Sequence, residues 1–103
     1  MGAVSLEVQN ELDVNIADQV LVEMYEDDST AELTVELAGG EVRVTSVSDT
    51  QPIIVPDDDL LQAVGHLATV HEAAGTGLEK VFYKYVKDSE GDWKMLAKFS
   101  YAP

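Results

Sequence analysis

Two runs of alternating apolar and polar residues, one long stripe at helical spacing and an aromatic hairpin with a Gly-bearing turn predict an α+β domain. The expected architecture is an antiparallel sheet of about five strands. It comprises a three-stranded meander, one main helix packed on one face, and a C-terminal hairpin. The 103 residues fit a single domain over residues 1–103, since domains usually run to about 100–150 residues. With 46% hydrophobic residues the chain can bury a core rather than stay disordered.

At the N-terminus Val4, Leu6 and Val8 alternate as in a strand, while Val4, Val8, Leu12 and Ile16 recur every four residues as in a helix. The reading taken is a short helix over residues 5–12, broken by the turn-formers Asp13 and Asn15. From Asp18 the pattern becomes extended. Val20, Val22 and Met24 fall on one side and Leu21, Glu23 and Tyr25 on the other, which predicts a strand over 19–26. Glu26-Asp27-Asp28-Ser29 then supplies turn residues.

Leu33, Val35 and Leu37 alternate with Glu32, Thr34 and Glu36, the pattern of a half-buried strand over 31–38. Gly39-Gly40 suits a tight hairpin turn, and Val42 and Val44 continue the alternation over 41–47. A short β-branched piece, Ile53-Ile54-Val55, precedes Pro56-Asp57-Asp58-Asp59, which reads as a helix start. Leu60, Leu61, Val64, Leu67, Ala68, His71 and Ala74 form one apolar stripe, and Gly75 is placed for a left-handed cap. The predicted helix covers 57–74. Strands over 79–87 and 93–101 follow, joined by Asp88-Ser89-Glu90-Gly91-Asp92. Trp93, Met95, Ala97, Phe99 and Tyr101 share one face of the last strand, and Trp93, Phe99 and Tyr101 are expected to form core beneath the helix.

Charge is the most informative functional feature. Twenty Asp and Glu against six Lys and Arg give a formal net charge of −14. Residues 1–78 hold 16 of the acids and a single base, Arg43, whereas all five lysines lie in residues 79–103. A salt-adapted origin, which tends to spread acid over every exposed face, stays open as a source of the acidity but does not explain this split. So acidic a chain is unsuited to bind nucleic acid or an anionic membrane directly, and should steer cationic partners. No apolar run approaches the roughly 20 residues of a bilayer span. The start Met1-Gly2-Ala3-Val4-Ser5-Leu6-Glu7 lacks the basic beginning and apolar stretch of a secretory signal. A cytoplasmic location is expected.

Motifs for chemistry are weak throughout. His66 and His71 sit five apart, a net turn of about 140° that does not bring them to one helical face. His71 falls on the buried stripe and His66 off it. Zero Cys removes thiolate ligands, disulfides and cysteine nucleophiles. Asp57-Asp58-Asp59 runs straight into leucines rather than into a calcium loop. Gly39-Gly40 and Gly75-Thr76-Gly77 are too sparse for a phosphate loop. Glu23 with Glu26-Asp27-Asp28 lies at a turn that leaves carboxylates in water rather than in a closed acid–base site. No catalytic residue, cofactor or metal is therefore expected.

The C-terminal half, with its helix over 60–74, Gly75-Thr76-Gly77, an aromatic strand, a turn at Gly91 and the ending Phe99-Ser100-Tyr101, resembles the YezG-type immunity proteins of bacterial toxin systems. It departs from their pattern at Gly77-Leu78, where an aromatic residue would follow, and in placing Trp93 after the turn. The resemblance implies a protein that binds and silences a toxin, often a nuclease with a basic cleft. Residue pattern and resemblance together give the expectation of a non-enzymatic acidic inhibitor of a basic protein. Its predicted contact surface is Glu23, Glu26, Asp27, Asp28, Glu32, Glu36 and Glu41. The alternative is an assembly protein forming a homo-oligomer through its aromatic hairpin.

Overall fold

The structure is a computed structural model that describes residues 2–38 and 40–103; Met1 and Gly39 lie outside the described residues. The elements run α1 (Leu6–Leu21), β1 (Thr30–Ala38), β2 (Glu41–Ser48), α2 (Asp58–Ala74), β3 (Leu78–Lys87) and β4 (Trp93–Tyr101). The four strands form one antiparallel sheet in the order β2-β1-β3-β4. The fold is α+β as expected, with four strands instead of about five and, beside the main helix, a full-length second one in place of a short N-terminal helix.

The difference lies in the first 26 residues. Asp13 and Asn15 do not interrupt α1, and residues 19–26 hold no strand. Leu12, Ile16 and Val20 continue the four-residue recurrence, and all three are buried. Ser5 caps the helix by accepting a hydrogen bond from the Val8 N–H at 3.2 Å. Asp13 is held inside by Gln9 one turn earlier in α1 and by Tyr83 from the sheet, so its turn propensity is overridden.

The second helix follows its sequence signals. Asp57 accepts the Leu60 N–H at 2.8 Å, Asp58 and Asp59 lie in the first turn, and Gly75 ends the helix at φ 64°. In the β1–β2 hairpin Gly40 has φ 80°; the Gly39 half of the predicted turn is outside the described residues. Ile54, in the predicted β-branched piece, makes a single bridge to Ser46 and no strand.

Register sets which face each residue occupies. Ala31, Leu33 and Val35 of β1 stand opposite Tyr85, Tyr83 and Val81 of β3, and all six are buried. Onto this face pack Leu12, Ile16 and Val20 from α1 and Leu60, Ala63, Val64 and Leu67 from α2. Among the described residues no helix lies over the opposite face of the sheet. Coverage fades towards β4. Trp93 and Phe99 are partly buried against the core, whereas Met95, Ala97 and Tyr101 are exposed. The expectation that Trp93, Phe99 and Tyr101 would be core holds in part for the first two and fails at Tyr101.

Candidate partner-binding surface

The open face of the sheet gathers the cations. Arg43 of β2, Lys80 and Lys84 of β3, and Lys94 and Lys98 of β4 occupy the register positions that share a face with Glu32 and Glu36. Glu36 stands between Arg43 and Lys80, and Glu32 is opposite Lys84. Glu41, in the same hairpin, lies 3.7 Å from Arg43 in an exposed pair. Opposite charges across strands stabilise a sheet by roughly 0.2–1 kcal/mol each. These three glutamates thus sit among the chain's own cations and do not form the free anionic face expected of them.

The remaining predicted residues lie between α1 and β1. Glu23, Glu26 and Asp27 are exposed there. Lys87 reaches this turn, donating from Nζ to the Glu26 carbonyl at 3.2 Å while lying over the Trp93 ring at 5.3 Å. Asp28 is only 1% exposed and faces inward. Its carboxylate accepts hydrogen bonds from the Tyr25 N–H (2.8 Å), Ser48 Oγ (2.7 Å), the Thr50 N–H (3.1 Å), Gln51 Nε2 (2.8 Å) and the Thr50 hydroxyl. Burial alone would raise its pKa; the bonds from Thr50, Tyr25, Ser48 and Gln51 outweigh burial and hold it well below the usual carboxylate range. Asp49 reinforces the same junction, accepting from Ser29 Oγ at 2.7 Å and from the Ser29 and Thr30 N–H groups, and these bonds lower its pKa. Asp28 and Asp49 are clasps between the 25–30 turn and the 48–51 loop.

The unopposed anions lie in the helix layer. Neither α1 nor α2 contains a Lys or Arg. Glu7, Glu11 and Asp18 fall on one exposed stripe of α1, opposite the buried Leu12-Ile16-Val20 stripe. Asp58, Asp59 and Glu72 are exposed on α2. Glu7 and Glu11, four apart, repel, and Asp18 lies near the negative end of the α1 dipole. Each arrangement costs a few tenths of a kcal/mol. The absence of bases between Leu6 and Leu21 is readable in the sequence, but the exposed acidic stripe emerges only when that segment is one continuous helix.

Beneath this layer runs a buried polar chain. Thr76 Oγ1 and Gln9 Oε1 contact His71 Nδ1 and Nε2 at 2.9 and 2.6 Å, Gln9 Nε2 donates to Asp13 Oδ1 at 2.8 Å, and Tyr83 OH donates to the same oxygen at 2.7 Å. Because the Gln9 carbonyl can only accept, His71 Nε2 carries the proton, and Nδ1 accepts from Thr76. Burial pushes the His71 pKa down, partly offset by Asp13, so the ring is neutral at pH 7. Both ring nitrogens are engaged, consistent with the expected core position. Among the described residues no group of three or more His, Cys, Asp and Glu could hold a metal ion.

Two tyrosines on adjacent inward positions of β3 differ in this respect. Burial raises both hydroxyl pKa values, with the Asp13 hydrogen bond adding to that of Tyr83. The Tyr85 hydroxyl is buried without a hydrogen-bond partner among the described residues. Tyr83→Phe is expected to cost roughly 1–3 kcal/mol, because it strips Asp13 of a donor away from water. Tyr85→Phe should be neutral or stabilising. Urea unfolding of the two variants measures both, and equal losses would contradict this assignment.

No family model and no curated protein matches this chain.

Proposed function

We propose that the chain is a non-enzymatic, acidic protein-binding domain, an immunity-type inhibitor that neutralises a basic partner such as a nuclease toxin. The contact surface is the anionic helix layer, Glu7, Glu11, Asp18, Asp58 and Asp59, continued by the turn residues Glu23, Glu26 and Asp27. What supports this reading above all is the segregation of charge. Five of the six bases share the open sheet face, and neither helix has one. Tolerance of repulsion on α1 fits a surface kept for an external cation. A basic cleft built for a phosphate backbone would accept such a stripe in place of its substrate, with fast and salt-sensitive association. His71, with both ring nitrogens committed internally, fits a structural role rather than proton transfer.

The test isolates the basic protein that co-purifies with the chain and measures its affinity for a variant carrying Glu7→Lys, Glu11→Lys, Asp18→Lys and Asp58→Lys. Binding at low salt should weaken on the order of 100-fold. Reversing Lys80, Lys84 and Lys98 on the sheet should change it little. Unchanged affinity in the helix variant would overturn the proposal.

A further inference from the structure

The two outer strands of the sheet are treated differently. Along β2 the chain doubles back: the Ile54 N–H donates to the Ser46 carbonyl and the Ser48 N–H to the Gln51 carbonyl, both at 2.9 Å. Along β4 no strand or bridge lies outside among the described residues. Its nine residues run roughly 30 Å, and an uncovered edge of that length is a template for a further strand. Met95 and Tyr101 are 40% and 51% exposed on the helix side, and Leu96 is 70% exposed on the other.

We propose that β4 pairs antiparallel with β4 of a second copy about a twofold axis at Ala97, joining the two sheets into one of eight strands. Ala97 is the middle residue of Trp93–Tyr101, so this register engages the whole strand. It sets Trp93 against Tyr101, Met95 against Phe99 and Ala97 against itself, which makes the helix-side strip continuous between the copies. Charge disfavours the two neighbouring registers. The charged residues of β4 are Lys94 and Lys98, and here they face Ser100 and Leu96. Centring the axis one residue earlier, on Leu96, would oppose Lys94 to Lys98, and centring it on Lys98 would oppose that lysine to its own copy; like charges directly opposite destabilise a pair. A twofold edge contact of this kind closes on itself.

This pairing is independent of the inhibitor reading and responds to salt in the opposite sense. Each copy carries −14, so repulsion opposes association and salt should strengthen it, whereas an acid–base complex weakens. Sedimentation equilibrium of the full chain at about 0.1 M and about 1 M salt should show a dimer that tightens with salt. Ala97→Lys places like charges across the axis, and should raise the dissociation constant at least tenfold with an unchanged far-UV spectrum. Because the chain has no cysteine, Ala97→Cys gives a second readout independent of that variant's folding. Mild oxidation should yield a covalent dimer, and Thr69→Cys on the exposed side of α2 should not. A one-chain mass at both salt concentrations, a dimer that survives Ala97→Lys, or equal cross-linking of the two cysteine variants would overturn the proposal.

Discussion

Shortening Ile16 to Ala should lower the stability of the fold by about 3–4 kcal/mol, the range for deleting most of a fully buried branched side chain. Ile16 has no exposed surface and packs in the cluster formed by both helices, β1 and β3. A domain of this size has roughly 5–15 kcal/mol in all, so one residue would remove a large share. The result also tests the path of the chain. Had the first helix ended at Asp13, Ile16 would lie in a connection and its truncation would cost under about 1 kcal/mol. Val14→Ala is the internal control, since Val14 is 60% exposed and Ala is the better helix former. Urea unfolding followed by far-UV dichroism should separate the two variants clearly, and similar midpoints would contradict the buried position of Ile16.

Neutralising Asp28 should be the most damaging single carboxylate substitution, and of opposite sign to the same change next door. Asp27→Asn removes one exposed charge from a chain with an excess of fourteen, which relieves repulsion and leaves stability equal or slightly higher. Asp28→Asn places an NH2 donor among five donors that converge on a carboxylate. The clasp to the 48–51 loop opens and the unfolding midpoint falls. The pH dependence supplies a second signature. Asp28 has a lower pKa folded than its ordinary value of 3.8, so between those two values the unfolded chain binds more protons. Its contribution is therefore present above about pH 4 and is lost as pH falls towards the folded pKa. Asp28→Asn should flatten that acid limb of the stability curve, and an unaltered limb would contradict the clasp.

Much of the sheet could be read from alternation alone. Residues 31–38, 41–47, 79–87 and 93–101 match the four strands to within about a residue or two, because each carries a period-two pattern, with a dry face in the central strands β1 and β3. The Asp57 and Gly75 caps were equally legible, since capping is a local property. Asp13 was not. It looked like a breaker because its buried partner Tyr83 becomes apparent only when α1 and β3 meet. Val20 and Met24 alternate convincingly with Leu21 and Glu23, yet Val20 completes a helical stripe that begins at Leu12. The seven predicted contact residues met a similar limit. Composition could not distinguish Asp28 from Asp27, and it could not foresee that Lys80 and Lys84 would come to lie beside Glu36 and Glu32.

The doubled-back segment beside β2 also limits how far this sheet can grow. Polymerisation by edge addition requires a free margin on both sides of every subunit, and residues 51–54 obstruct the 46–48 end of one of them. Pairing at the other margin uses up the full-length template, and further growth would have to start on a strand already capped at one end, so addition is disfavoured after a single event. An eight-stranded particle is then an end product rather than the first step of a fibril, which lets an apolar strand stay bare without seeding aggregation.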